Sequence, residues 1–189
     1  MTDDLRFGWM VEVMNVRPDD RILEIGPGSS NSLACLAARL DNGYVVGADR
    51  SATAIARAAK RHAALIESGK VRLIQAELAD LEPRLLDGTA PAAIRRAGSP
   101  PGTAGFDKIL AVNVNVFWTK RPVAELALIH RLLAPGGALY LFYGYGAPAG
   151  TSTSPKPAEG QLKKYLAEAG FTARPVSSGD LLGVIATAE

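Results

Sequence analysis

A chain of 189 residues, 48% hydrophobic and 21% charged, has the length and composition of one globular domain, which excludes the disordered and fibrous classes. Its 21 basic and 19 acidic residues leave a formal charge of +2 and are scattered along the chain, which argues against a phosphate-tracking surface and so against a nucleic-acid partner. Cys35 is the single cysteine, so no internal disulfide or multi-thiolate zinc site is available, and no run approaches the roughly 20 apolar residues of a bilayer span.

Asp3, Asp4 and Arg6 precede any apolar run, so a cytoplasmic protein without a membrane anchor is expected. Trp9, Met10, Val13 and Met14 suggest an N-terminal helix within residues 1–15 that covers one end of the fold. Arg21 to Ile25 reads as a first strand. Gly26-Pro27-Gly28 follows, and Ser29, Ser30 and Asn31 are good caps for a helix from Ser32 to Leu40. Cys35 lies among Leu33, Leu36, Ala37 and Leu40 and reads as a small buried hydrophobe. Tyr44 to Ala48 is a second strand ended by Asp49, and Ser51 caps a helix with the stripe Ile55, Ala59, His62 and Ile66. Arg57, Lys60 and Arg61 form the solvated face of that helix.

Val71 to Gln75 is a third strand and Phe106 to Val112 a fourth. Between them, Glu82 to Gly105 carries Pro83, Pro91, Pro100 and Pro101, and reads as a long functional or mobile connection with a short helix around Ala92 to Ala97. Pro122 starts a helix bearing Leu126, Ile129 and Leu133, which Pro135-Gly136-Gly137 stops. Ala138 to Tyr143 is a fifth strand. Leu162, Tyr165, Leu166 and Ala169 stripe a last helix closed by Gly170, and Phe171 to Val176 and Leu181 to Ala186 form a hairpin. Near-continuous apolar strands alternating with helices predict a three-layer α/β fold, its sheet mainly parallel with an antiparallel C-terminal hairpin.

Ligands of such sheets bind beyond the strands' carboxyl ends, near the reversal of strand order, and the Gly26–Gly28 turn marks that place. Glycines there let the backbone turn tightly and approach a ligand. A nicotinamide dinucleotide and its oxidoreductase chemistry are one reading of the turn, although Asn31 interrupts the G-x-G-x-x-G pattern. Asp49, able to accept hydrogen bonds from both hydroxyls of an adenosine ribose, fits either kind of cofactor.

Glu24-Ile25-Gly26-Pro27-Gly28 resembles the E/D-x-G-x-G motif of class I S-adenosylmethionine-dependent methyltransferases. Val71 to Glu77 resembles that family's third strand with its terminal acid, Phe106 to Leu110 its fourth strand, and Leu132 to Gly137 the stretch before its fifth. Four motifs in order, from about Val16 onward, make the resemblance specific. It implies a Rossmann-like methyltransferase fold of seven strands spanning residues 1–189 as one domain. It also implies S-adenosyl-L-methionine as cofactor, transfer to a small-molecule acceptor by direct displacement, and, as a further alternative, a catalytically silent cofactor-binding module. A second copy of the chain is a candidate partner.

By that resemblance Gly26, Pro27 and Gly28 pass the cofactor's methionine and ribose, and Glu24 supports its ammonium group. Asp49, with Arg50 beside it, serves the ribose, Glu77 and Leu78 lie by the adenine, and Asn113 closes the pocket near the methyl group. Ser30 stands where many members have a third glycine, which tightens the loop or adds a hydroxyl near the methionine end. Val112 occupies the place of the metal-binding aspartate of metal-dependent O-methyltransferases, so no catalytic metal is expected. Asn113 to Trp118 lacks the Asn-Pro-Pro-Tyr-like motif of base and glutamine methylation, which argues against DNA and protein substrates.

No catalytic residue is assigned. The only two histidines, His62 and His130, lie on helices that flank the sheet and read as structural. Phe117, Trp118, Tyr143 and Tyr145 fall just beyond predicted strand ends and are candidates for the substrate-pocket wall, with simple packing as the other reading.

Overall fold

The apolar runs of the sequence pair side by side because each is too hydrophobic to leave either face in water. The computed structural model describes residues 2–81, 105–146, 148 and 159–188. The segment read as a short helix around Ala92 to Ala97 lies outside the described residues.

Seven strands form one sheet: β1 (Arg21–Ile25), β2 (Tyr44–Asp49), β3 (Val71–Gln75), β4 (Phe106–Val112), β5 (Leu133–Tyr143), β6 (Phe171–Ser178) and β7 (Leu181–Ala188). Their order is β3-β2-β1-β4-β5-β7-β6. β1 to β5 pair in parallel, while β7 runs antiparallel between β5 and β6. Pro175, which has no N–H for a ladder, is tolerated because β6 is an edge strand.

The helices are α1 (Thr2–Met14), α2 (Ser32–Ala37), α3 (Ala52–Arg61), α4 (Ala63–Glu67), α5 (Asn115–Thr119), α6 (Val123–Leu132) and α7 (Glu159–Glu168), with a 3-10 turn at Leu78–Asp80. They cover both faces of the sheet. Phe7, Met10 and Met14 of α1 and Leu33 and Leu36 of α2 pack with Ile22, Val45, Leu110 and Phe142. On the other face Leu126 and Ile129 of α6 and Leu162 and Leu166 of α7 pack with Leu23, Val46, Ile109 and Leu141. Alternate residues of each strand serve opposite layers. Charged pairs sit at the amino ends of the central strands, where Lys108 meets Asp20 at 2.8 Å and Arg21 meets Asp107 at 3.2 Å. The carboxyl ends are left to the site. No helix among the described residues is long and apolar enough to cross a membrane.

Four boundaries differ from the sequence expectation. The helix from Ser32 ends at Ala37, although Leu40 is still buried. The helix after Ser51 breaks at His62, whose backbone (φ −108°, ψ 25°) separates α3 from α4. β5 begins at Leu133 rather than Ala138. Leu133 pairs with Phe106 and Ala138 with Lys108, so Pro135-Gly136-Gly137 makes an irregularity inside the strand, with Gly136 at φ +75°. Both strands of the hairpin run two residues longer than expected, leaving a two-residue turn at Gly179 and Asp180.

Gly183 of β7 lies opposite Phe142 of β5, and a Cβ there would stand 2.6 Å from the Phe142 ring. That ring is fully buried, with Trp9 edge-on at 5.4 Å, and has nowhere to move. Gly183→Ala is therefore expected to destabilise the fold by about 1–3 kcal/mol. Urea denaturation checks this, and an unchanged midpoint would mean that the Phe142 layer repacks freely.

Candidate functional site

The strand order reverses between β1 and β4, so the loops leaving their carboxyl ends diverge to opposite faces of the sheet and open a crevice. The β1 loop enters it through two left-handed glycines, Gly26 at φ +68° and Gly28 at φ +59°. The Gly26 N–H donates to the Ala48 carbonyl at 2.8 Å, which ties the loop to the end of β2. Gly28 donates to Asp49 Oδ2 at 3.0 Å, and no atom lies within 4 Å of where its Cβ would stand. Asp49 Oδ1 accepts the Ser51 N–H at 2.9 Å. Each carboxylate oxygen of Asp49 thus holds one backbone donor and keeps a lone pair for another.

Asn113, at the end of β4, is the other hinge of the crevice. It adopts φ +56°, donates from Nδ2 to the Gly144 carbonyl at 3.1 Å and accepts the Gly144 N–H at Oδ1, 2.9 Å. Its side chain thereby clamps the β4 and β5 ends together. Arg6 Nη1 of α1 donates to the same Gly144 carbonyl at 3.1 Å.

Glu24 follows Ile22 on the α1 and α2 face of the sheet and is 1% exposed. Burial pushes its carboxyl up to about 7, against the opposing pull of a hydrogen bond from the Ser32 side chain. Its Oε2 has no partner among the described residues. Behind it the Ser32 hydroxyl lies 2.7 Å from the Ser30 hydroxyl, and the buried imidazole of His62 hydrogen-bonds the Ser30 backbone. Desolvation is the main cause holding the His62 pKa below its ordinary value. Through that hydrogen bond His62 props the loop. His130 stacks edge-on against Phe171 at 5.3 Å.

A cavity of about 270 Å³ opens over these groups. Gly26, Pro27, Ser29 and Ser30 form its loop wall, and Glu24, Val112 and Asn113 its strand-end wall. Arg6, Phe7 and Tyr145 close it from the α1 side. Of the predicted site residues, Glu24, Gly26, Pro27, Asn113 and Tyr145 thus meet at one cavity, with Gly28 and Asp49 behind the loop. Glu77 and Leu78 follow β3, on the far side of β2, where Glu77 is exposed and Leu78 half-buried, and Arg50 is exposed beside Asp49.

Of the four aromatics expected at the pocket wall, three lie away from this cavity. Phe117 is 1% exposed inside the core on the α6 and α7 face, because α5 turns it inward, and it does not line the cavity. Trp118 and Tyr143 pack against one another at 5.7 Å on that same face and also lie off the cavity. Only Tyr145 of the four reaches it, 72% exposed. Arg6 and Phe7 escaped the sequence reading. Their signal was that Arg6 stands four residues before Met10 on the stripe that α1 buries, an unusual place for a cation.

The donor set suits an adenosyl amino-acid cofactor: a carboxylate oxygen without a partner for an ammonium group, carboxylate lone pairs for ribose hydroxyls, and a glycine with open space above it. Among the described residues, no cluster of three or more His, Cys, Asp or Glu could hold a metal ion.

Residues 23–139 match the family model described as a methyltransferase domain. No curated protein matches the sequence. The fold is similar to a crystal structure of an S-adenosylmethionine-dependent methyltransferase from Aquifex aeolicus, with TM-score 0.73 and 16% identity over 99% of this chain and 92% of that one. It is also similar to magnesium protoporphyrin IX methyltransferase from Synechocystis, solved with S-adenosylmethionine, with TM-score 0.67 and 17% identity over 100% and 78%. A third similar structure is the [4+2]-cyclase SpnF, with TM-score 0.66 and 17% identity over 97% and 80%. The fold is the one that S-adenosylmethionine-dependent methyltransferases share, and the glycine loop stands at its crevice. The chain belongs to the methyltransferase-domain family.

The raised Glu24 carboxyl sets a pH dependence. Between about 4.5 and 7 the folded protein holds a proton that the unfolded chain has lost, so stability without ligand falls as pH rises through this window. The loss is on the order of 3 kcal/mol. Glu24→Gln is expected to flatten that slope and leave the variant the more stable protein at pH 8. Urea midpoints at pH 5 and pH 8 measure it, and parallel pH profiles would place the titration elsewhere.

Proposed function

We propose that the chain is one methyltransferase domain that transfers a methyl group from S-adenosylmethionine to a small-molecule acceptor by direct displacement. The observation that carries this reading is the buried Glu24 carboxylate, one oxygen unpartnered, on the wall of the cavity at the Gly26–Gly28 loop. A carboxylate so placed is costly unless a cation joins it, and the cofactor's ammonium group is such a cation. Asp49 holds the ribose hydroxyls, and Glu77 and Leu78 lie toward the adenine. Val112, Asn113, Phe7 and Tyr145 border the space left for the acceptor.

When bound, the cofactor supplies a sulfonium methyl group whose carbon is taken by the acceptor's lone pair while the broken bond's electrons stay on sulfur. The protein's share is to align that lone pair and exclude water. No metal is called on, because Val112 stands at the strand position where a metal ligand would be needed. The porphyrin acceptor named for the Synechocystis neighbour is an example of a small-molecule substrate on this fold. A nicotinamide dinucleotide is disfavoured by Asn31 and by the antiparallel β7 between β5 and β6. The cyclase neighbour favours one second reading, a chain that keeps the cofactor loop for a different end.

S-adenosylmethionine or S-adenosylhomocysteine is expected to stabilise the protein by about 2.7 kcal/mol at a hundredfold excess over its Kd, and NAD not at all. Thermal melts with each ligand decide this, and stabilisation by NAD alone would overturn the reading. Transfer of labelled methyl across a panel of small molecules then separates an enzyme from a silent module. Asp49→Ala is expected to weaken cofactor binding by about 1–3 kcal/mol, read by titration calorimetry. Unchanged affinity in a folded variant would remove Asp49 from the site.

A further inference from the structure

We infer that His62 is a positioning residue for the cofactor: its neutral imidazole holds the Ser30 peptide of the glycine loop in place, and protonation of that ring frees the loop and releases the ligand. The inference rests on the methyltransferase reading above. His62 is 4% exposed and lies outside the cavity, at the break between α3 and α4. A ring N–H donates to the Ser30 carbonyl. Nε2 is buried and has no partner among the described residues, so Nδ1 makes that bond and Nε2 is an idle acceptor. A second proton would have to sit on Nε2, where no oxygen awaits it. Desolvation is the largest influence on the ring and outweighs the Ser30 bond, so the charged imidazolium gains more by turning out to water than by staying on the loop. Among the described residues the one charge acting on it directly is Arg61, which adds repulsion. On the loop side stand the uncharged Ser30 and Ser32, with Glu24 beyond them.

Ser30 is where such a ring bears on binding. It lines the cavity, and its N–H donates to the Pro27 carbonyl at 3.2 Å, closing a turn around Gly28. Gly28 in turn donates to Asp49 Oδ2 at 3.0 Å. The Ser30 hydroxyl lies 2.7 Å from that of Ser32, which hydrogen-bonds Glu24. One peptide held by one imidazole therefore sets the Asp49 side of the loop and the Glu24 side together. Gly26 and Gly28 give the loop little stiffness of its own, so its fixing comes from outside it.

Titration calorimetry with S-adenosylhomocysteine from pH 8 to pH 5, on wild type, His62→Asn and His62→Leu, tests this, with circular dichroism confirming the fold at each pH. His62→Asn keeps a donor near the place of Nδ1 and loses the titrating proton, whereas His62→Leu fills the space without a donor. Glu24 titrates in all three proteins, so the ratio of two affinities at one pH cancels its share. Wild type and His62→Asn are expected to bind alike at pH 8. Wild type is expected to become roughly tenfold the weaker by pH 5, with the loss setting in below pH 6.5 because burial lowers the ring's pKa. His62→Leu is expected to bind roughly tenfold more weakly than wild type at pH 8, and if it fails to fold the His62→Asn comparison alone decides. Parallel profiles for wild type and His62→Asn would overturn the inference, and so would full affinity at pH 8 in a folded His62→Leu. A wild-type protein that binds S-adenosylhomocysteine at no pH would overturn the methyltransferase reading itself, and the His62 assignment with it.

Discussion

Everything near the crevice is arranged around one carboxyl group that the fold takes out of water. Strand alternation turns Glu24 to the same side as Ile22, under α1 and α2, one residue before the chain reverses at Gly26. An aliphatic residue at that place would satisfy the layer without cost. The acid instead takes one hydroxyl hydrogen bond from Ser32, and burial pushes its pKa up to about 7. That leaves a group whose charge is suppressed by its surroundings and restored by any cation that joins it. On the proposed function, ligand binding and ionisation of Glu24 are one event.

The second tier of the site follows from the same residue. Ser32 touches Glu24, Ser30 touches Ser32, and His62 holds the Ser30 backbone, so the loop conformation and the acid are linked through two hydroxyls. Ser30 in the place of a customary third glycine is what makes the chain of contacts continuous. The break between α3 and α4 belongs to this arrangement, because His62 stands at the break and directs its ring at Ser30. A regular helix through His62 is what periodicity alone predicts. Its interruption depends on a partner distant in sequence, which no local pattern carries.

The sheet was largely legible because its signals are local and redundant. β1 to β4 are apolar runs bounded by turn residues, and the crossovers from β1 to β2 and from β2 to β3 carry helices. β5 was misjudged at its start because Pro135-Gly136-Gly137 is the usual signature of a helix stop followed by a loop, whereas pairing of Leu133 with Phe106 draws the stretch into the sheet. The placing of Glu24, Gly26 and Asp49 at the crevice was readable because their spacing from β1 and β2 is fixed by the strands that carry them. Arg6 was not, since it reaches Gly144 across 138 residues and only the docking of α1 brings them together. Phe117 lies off the cavity for the complementary reason. A position just past a strand end admits both an outward and an inward side chain, and the short helix α5 chooses inward.

A fold shared with a cyclase as well as with methyltransferases supplies a cofactor seat but leaves the chemistry to what faces it. The sulfonium carries its own reactivity, so the residues that decide the reaction are those that control approach along the line of the departing bond. On the proposed function, the borders of the cavity come from three sources in this chain. Asn113 clamps β4 to β5 through Gly144, α1 brings Arg6 and Phe7, and Tyr145 follows β5 at the rim. Gly144 is common to all three, accepting from Arg6 and Asn113 and immediately preceding Tyr145. A shift of that one peptide would move all three borders of the cavity together. On the proposed function, the acceptor's border and the cofactor's seat then rest on the same backbone.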